Sequence, residues 1–585
     1  MNDTESLFSG FPAVDHEQWK SKVIDELKGA EFSKIVWKTP EGFEMEPWHN
    51  RHTAVRPAPE APFRRSTNRW RICQQIAVER LLDDPALLDE ALTGGAEAIE
   101  LRFEGVPESA EVVRLLEALR SLELAKTALY FSGAIGDPAA LLDALAALPG
   151  FAANSGAVLF DALASRDGAL PLPTADMRHS GFRTIAVDTV RFNEAGATIT
   201  QELAFALAGA SDCLSRLTEA GADASEAAAA IEIVFAAGTS HFPELAKLRA
   251  LRAMWPQLLA AYGVAADAMP EPRLFVRSST RSISALDPYT NLLRLSTEAL
   301  AAILGGCDTL QLAPFESAGS VSPEFAERIT RNIHLLLREE SNLGHVVDPA
   351  AGSFYIETMT AALCREAWAL FQQIEAVGGL RAAEASGRVA AMIAPAAEAR
   401  RKAIDTRHRT LVGINRYTVP PAAEVVAAIQ RYSDATKSSG YEQLRRRMIA
   451  HVAAGGATPR AALWLHGEPS KSQRVAAFAD DFLRSGGFEV LPSVTLDPET
   501  CNCRALLREE PDIVVFCWSG ESDLASVAKI CETIQELRKE TIIVMAAKPP
   551  ENAAELLRAG VDRFIHLGSD ARADLLSLQH KTGVL

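Results

Sequence analysis

Four arginines of this chain fall where an anion could be gripped. Arg277-Ser-Ser-Thr-Arg281 closes an apolar run that begins at Arg273, and Arg183 and Arg191 flank the run Ile185–Asp188. A guanidinium presents a planar fork of donors that matches phosphate and carboxylate oxygens two at a time. Brought together, Arg183, Arg191, Arg277 and Arg281 would bind a phosphate or a carboxylate; kept apart, they are ordinary solvated or salt-bridged arginines. Cys501-Asn-Cys503 has the spacing of a metal-ligating pair. It has no second cluster near it, so reduced thiols are the default. Arg445-Arg446-Arg447 reads as a solvated basic face on a helix, or as a surface for an acidic partner. Gly305-Gly306 and Gly378-Gly379 read as helix ends, because neither follows a strand and opens a helix as a phosphate loop does. There is no Walker motif and no Ser-His-Asp constellation.

The elements that would position these residues repeat along the chain. Short β-branched or apolar runs occur at Trp70–Ile76, Ala98–Phe103, Ala128–Phe131, Ala157–Phe160, Thr184–Asp188, Ile231–Phe235, Arg273–Arg277 and Thr309–Leu312. Most are followed by Ala/Leu-rich stretches of helical period, such as Ala197–Ala220, Pro243–Tyr262 and Tyr289–Leu304. Repeated strand–helix units imply parallel strands with right-handed crossovers. Eight of them point to a closed (β/α)₈ TIM barrel, with an open doubly wound sheet as the other arrangement of the same period. In a barrel, Arg277 and Arg281 would lie at the carboxyl end of a strand, where barrel ligands bind.

Outside the barrel region, residues 1–60 read as an arm with a helix over Asp15–Lys28, stopped at Gly29. Residues 61–395 hold the barrel and its covering helices, and 396–457 read as a partly helical linker. Residues 458–585 alternate again, with strands at Ala461–Leu465, Glu489–Pro492, Asp512–Trp518, Thr541–Ala546 and Arg563–His566. That is the pattern of a flavodoxin-like doubly wound domain, whose ligands sit at the carboxyl ends of its strands. The prolines of Arg56–Pro62 imply an extended connection.

A formal charge of −17 argues against nucleic acid and against anionic membrane surfaces, since both need basic surface. No run of ~18 uninterrupted apolar residues suggests a membrane span, and the acidic first residues lack the order of a signal peptide. The expectation is a cytoplasmic protein with reduced thiols.

Ile185-Ala-Val-Asp-Thr-Val-Arg-Phe-Asn-Glu-Ala-Gly196 resembles the Ser-Gly-Tyr-His-x-x-Glu-Ala-Gly stretch of the methylmalonyl-CoA mutase family. Further matches occur in the same order. Glu244–Trp255 resembles the family's Glu-x-Ala-Lys-x-Arg-Ala-x-Arg-x-x-Trp helix, and Asp287–Asn291 its Asp-Pro-Tyr-x-Asn turn. Arg328–Asn332 with Glu339-Glu340 resembles the helix after the barrel, and Val347–Glu357 the segment Val-Asp-Pro-x-Gly-Gly-Ser-x-Tyr-x-Glu. Trp37–Gly42 also fits the pattern. The resemblance implies a barrel that holds acyl-CoA and a C-terminal domain that holds adenosylcobalamin for radical rearrangement.

The reactive residues of that family are absent here. Its Tyr-His pair beside the migrating group reads Val190-Arg191, and its N-terminal tyrosine stretch reads Pro62–Trp70 without a tyrosine. Its cobalt-ligand motif Asp-x-His-x-x-Gly reads Ser470-Lys-Ser-Gln-Arg-Val475, leaving His466 as the nearest histidine, a ligand candidate set against a solvated loop residue. A later Ser-x-Leu reads Trp518-Ser-Gly520 and a Gly-Gly reads Ala546-Ala547; Trp518 would take space that a cobalamin tail needs. The resemblance therefore assigns no catalytic, cofactor-binding or metal-ligating residue to this chain. Within the family it is most similar to the small (beta), non-catalytic subunit of heterodimeric mutases. That implies a larger catalytic partner subunit carrying adenosylcobalamin. The rival readings are an active acyl-CoA mutase with an atypical site and a stand-alone binder of a CoA ester through the arginines.

Overall fold

The computed structural model describes residues 14–55, 65–163, 170–172, 177, 181–316, 318–431, 440–497, 503–519 and 524–584. It forms two compact units. One runs to Thr280 and takes in Leu295–Ala313 and Arg328–Ala396; the other holds Arg281–Arg294, Pro314–Glu327 and the chain from Ala397 onward.

In the first unit the apolar runs become eight parallel strands: β1 Arg71–Ala77, β2 Ala98–Phe103, β3 Ala128–Gly133, β4 Ala157–Val158, β5 Ile185–Asp188, β6 Ile231–Ala237, β7 Arg273–Ser278 and β8 Thr309–Gln311. Their order is β4-β3-β2-β1-β8-β7-β6-β5. Parallel bridges at Ala157–Arg183 and Asp161–Ala186 close the ring between β4 and β5. The strands are buried on both faces, as parallel strands covered by helices must be; all seven residues of β6 are buried. The (β/α)₈ expectation therefore holds. The weakest predicted unit, after Phe160, coincides with a two-residue strand, and residues 164–169, 173–176 and 178–180 beyond it lie outside the described residues.

The helix α1, Ile199–Glu219, is capped reciprocally: Thr198 Oγ1 accepts from the Gln201 amide and Gln201 Oε1 accepts from the Thr198 amide. It lies close on β5, because a Cβ at Gly209 would come within 2.6 Å of Val187 Cγ1. Helix α2, His241–Ala261, follows β6, and the covering helices include Pro323–Leu335, α3 Phe354–Glu375, α4 Gly379–Ala385 and Arg388–Asp405. Gly378, at φ +100, caps α4. The arm helix is His16–Glu26 with Asp15 as its cap, and Trp37–Lys38 pairs antiparallel with Glu44–Met45. The proline-rich Arg56–Pro62 lies outside the described residues.

The second unit contains α5 Ala423–Arg431, α6 Gly440–Ala453 and a parallel sheet. Its strands are β9 Arg460–His466, β10 Glu489–Val490, β11 Val494–Thr495, β12 Ile513–Trp518, β13 Ile542–Met545 and β14 Arg563–Phe564, in the order β10-β9-β12-β13-β14 with β11 also on β9. This is the flavodoxin-like order. The predicted strand Glu489–Pro492 is broken because Pro492 has no amide to donate. Pairing resumes at Val494 with one extra residue on the edge strand, Arg460 facing Glu489 but Trp464 facing Val494. Separate cores pack on the two faces of the sheet. Among the described residues no helix is long and apolar enough to cross a membrane.

Candidate functional site

The residues that carry the family resemblance meet inside the barrel wall. Lys247 on α2 is 1% exposed, and its ammonium donates to Glu202 at 2.9 Å, to Glu244 at 2.7 Å and to the Ala236 carbonyl at 2.5 Å. Burial opposes its charge, yet Glu202 and Glu244 prevail and raise its pKa. Glu202 also accepts from Thr189 Oγ1, Asn193 Nδ2 and the Ala236 amide. The signature segment after β5 is thereby clipped to α1 and β6. Arg249 forms a fork on Asp348, at 2.8 and 3.0 Å, and reaches Glu357 at 3.0 Å. Arg252 bonds Asp308 and the carbonyls of Gly306 and Pro272, and Trp255 Nε1 donates to the Pro270 carbonyl. These motif residues form a buried frame of ion pairs and hydrogen bonds.

At the carboxyl end of the barrel the predicted site residues are engaged with the protein itself. Val190 packs on an interior cluster that includes Cys73, Tyr130, Leu159, Val234 and Phe275. Arg191 grips Glu384 of α4 with two bonds, 2.6 and 3.1 Å, and lies 3.4 Å from Asp161. Arg277 pairs with the fully buried Glu100 at 2.5 Å, and Glu100 also accepts from Ser132 Oγ at 2.6 Å. Burial pushes the Asp161 carboxyl up to about 6 against the pull of Arg191, and burial raises Asp188 against Arg277. Below them Tyr130 stacks edge-on against Phe275 and hydrogen-bonds Thr309 at 2.8 Å.

Arg183 stands at the other end. It precedes β5, donates to the carbonyls of Ile231 and Glu271, and lies 3.8 Å from Glu232. Glu232 is paired at 2.5 Å with Arg273, which also bonds the carbonyls of Ser155, Gly156 and Gly181. Burial, with the neighbouring Arg273, lowers the Arg183 pKa to about 10. Arg281, in the single turn Thr280–Ser282, also interacts with the protein itself. Of the two readings of these arginines, the salt-bridged one fits: Arg183 and Arg277 occupy opposite ends of the barrel, and Arg183, Arg191 and Arg277 each have their own acid beside them. Sequence reading missed those acids, Glu100, Asp161, Glu232 and Glu384. The signal was present for one, since Glu232 is a lone charge inside an otherwise apolar strand, and such a charge must find a cation.

In the second unit, ligands of this fold enter where β9 and β12 part at their carboxyl ends. Here His466 and Trp518 pack ring against ring there, centroids 4.2 Å apart and planes tilted by 52°. The backbone follows them in: Ser519 N donates to the His466 carbonyl at 3.0 Å, and a Cβ on Gly467, φ +91, would collide with the Ser519 carbonyl oxygen. His466 is therefore the last residue of a strand, half-buried against an indole, and not a solvated loop residue. Ser470–Val475 lie in the first turns of the helix α7, Pro469–Ser485, with Ser472 buried, so the positions counted back to the cobalt-ligand motif are not on the loop. These residues do not fit a corrin tail. Arg445 also departs from expectation: it is 4% exposed and donates to the carbonyls of Gly413 and Val419. Cys503 is buried, and Cys501 and Gly520 lie outside the described residues.

A barrel with a buried ionic frame and a self-neutralised mouth, in a chain that also carries a flavodoxin-like sheet, defines a two-domain α/β protein of the mutase architecture. The family described as methylmalonyl-CoA mutase matches residues 174–453. The chain is 29% identical over 628 residues to the methylmalonyl-CoA mutase small subunit of Porphyromonas gingivalis, covering 100% of this chain and 99% of that protein. It is 32% identical to the small subunit of Streptomyces virginiae, over 70% of this chain and 65% of that protein. It is 34% identical to the probable small subunit of Mycobacterium tuberculosis (strain H37Rv), over 64% of this chain and 60% of that protein. The chain belongs to the methylmalonyl-CoA mutase family, and its similarity runs to the small subunits.

Proposed function

We propose that this chain is the small, non-catalytic subunit of a heterodimeric methylmalonyl-CoA mutase. The holoenzyme would interconvert (R)-methylmalonyl-CoA and succinyl-CoA, with adenosylcobalamin held by a larger catalytic partner. This chain would stabilise that partner and help keep its radicals from water. The supporting observation is at the barrel mouth. Where the family places its Tyr-His pair, Val190 is packed into the interior and Arg191 is bound to Glu384 and Asp161. Neither is free to touch a migrating group, and a reacting group needs a partner within hydrogen-bond reach. The packed rings of His466 and Trp518 support the absence of cobalamin from this chain. A small subunit relieved of catalysis gains contacts by filling pockets that a catalyst must leave open.

Native mass spectrometry of the chain drawn from its own cell extract tests this. A 1:1 complex with a larger homologue, carrying one cobalamin per pair, is expected. A homodimer would overturn it, in favour of an active mutase with an atypical site if cobalamin is bound to this chain, and of a stand-alone regulator if it is not. Saturable coenzyme A binding by a chain without a partner would make it a CoA-ester sensor.

A further inference from the structure

The second unit has a cleft unrelated to its blocked crevice. It lies at the opposite, amino end of the sheet, where Thr458 precedes β9 and Glu489 opens β10, and has a volume of about 440 Å³. That is within the range of small-molecule sites, roughly 300–1,000 Å³. Its walls are mostly apolar, with Val419, Pro420, Met448, Val452 and Phe488, and Gln430 and Glu489 also line it. Two of them, Val419 and Val452, are left 60% and 45% exposed.

Three features show a wall built to hold its shape. Tyr417 is kept at φ +54, where a bulky side chain is strained, and its amide donates to Asp481 at 2.6 Å. Pro420 and Pro421 stiffen the segment just after it. Arg445 fastens it from behind through the Val419 carbonyl at 2.6 Å. Between them lies Thr418, which lines the cleft, is 6% exposed, and has a hydroxyl without a hydrogen-bond partner. A buried unpaired hydroxyl is costly to the fold unless a partner meets it.

We propose that this cleft binds one small amphipathic molecule, an apolar ring or chain bearing a single neutral hydrogen-bonding group that pairs with Thr418. The head group is neutral because the nearby cations are occupied. Arg445 serves two carbonyls, and Arg484 is held by Asp480 at 2.8 Å. The apolar body takes the place of water over Val419, Met448 and Phe488, where removing apolar surface from water favours binding.

Fluorescence titration of the full-length chain with N-phenyl-1-naphthylamine tests the site. This probe is neutral and has one N–H on an apolar body. Expected is saturable, blue-shifted emission with one site per chain. Ala453→Trp, which fills the exposed rim, should weaken binding at least roughly tenfold with the far-UV circular dichroism unchanged. Thr418→Val should weaken it several-fold while raising the melting midpoint, since it removes the orphan hydroxyl. No saturable binding would overturn the proposal and leave the cleft to a protein partner. Unchanged affinity in Ala453→Trp would place the probe elsewhere and overturn it as well. Thr418→Val with unchanged affinity and a lower midpoint would make the hydroxyl structural, which also overturns it.

Discussion

Two groups of charges in the barrel are built in opposite ways. Around Lys247 the cation and both carboxylates are buried, and the ammonium has three acceptors. Around Arg191 the side chains are partly exposed, 41% for Arg191 and 24% for Glu384, and one acid, Asp161, is buried enough to resist ionisation. The first group consists of residues that match the family pattern. The second stands where that pattern would put Tyr-His, and its charges are neutralised from within. The contrast separates two meanings of a sequence signature: here it marks the frame that holds β6 to α1 and α2, while the mouth above it has been given other contacts.

Breaking the frame should have the largest effect. Lys247→Met leaves Glu202 and Glu244 buried without their cation, which costs about 3–5 kcal/mol; urea unfolding should show a large drop in midpoint. A loss under about 1 kcal/mol would mean that the network is incidental to the barrel. The mouth should respond to pH in place of truncation. Asp161 has a folded-state pKa of about 6 against an ordinary 3.8. The folded chain therefore binds the extra proton between these values, and its stability falls as pH rises from about 4 to 6. The sum is about 2–3 kcal/mol. Asp161→Asn should flatten that slope and stabilise the chain at pH 7. Unfolding midpoints measured at pH 4, 5, 6 and 7 decide the matter, an unaltered slope assigning the titration elsewhere, Asp188 first.

The division between frame and mouth was unequally legible in the sequence. All eight barrel strands could be read because apolar residues on both faces leave little choice of element, and Ile231 and Arg273 begin strands as expected. The pairing of Arg277 with Glu100 was not legible, since it joins residues 177 positions apart. Arg445 was misread for a related reason: three consecutive arginines on a helix look alike, and only the carbonyls of Gly413 and Val419 make one of them a buried group. Trp518 could be read as an obstacle, but His466, whose ring packs against it, comes from another strand. Counting back along the chain to a ligand motif failed because β9 runs almost directly into α7, with only Gly467 and Glu468 between them.

Smaller perturbations sharpen the comparison. Tyr130→Phe removes one buried hydrogen bond to Thr309 and should cost about 1 kcal/mol. No measurable change in the unfolding midpoint would mean that the contact is not formed in solution.

The smallest effect on stability, and the most discriminating, belongs to Arg191→Ala. The pair with Glu384 is partly exposed, so its loss should cost under about 1 kcal/mol. Asp161 would lose the cation that favours its charged form, so the pH window of its titration should move upward. Isothermal calorimetry of the same variant with coenzyme A should show no binding, because Arg277 remains committed to Glu100 and the interior remains filled by Tyr130 and Phe275. Binding gained on removing Arg191 would show that the internal ion pair was standing in for an external anion, and the mouth would then be a masked site and not a filled one.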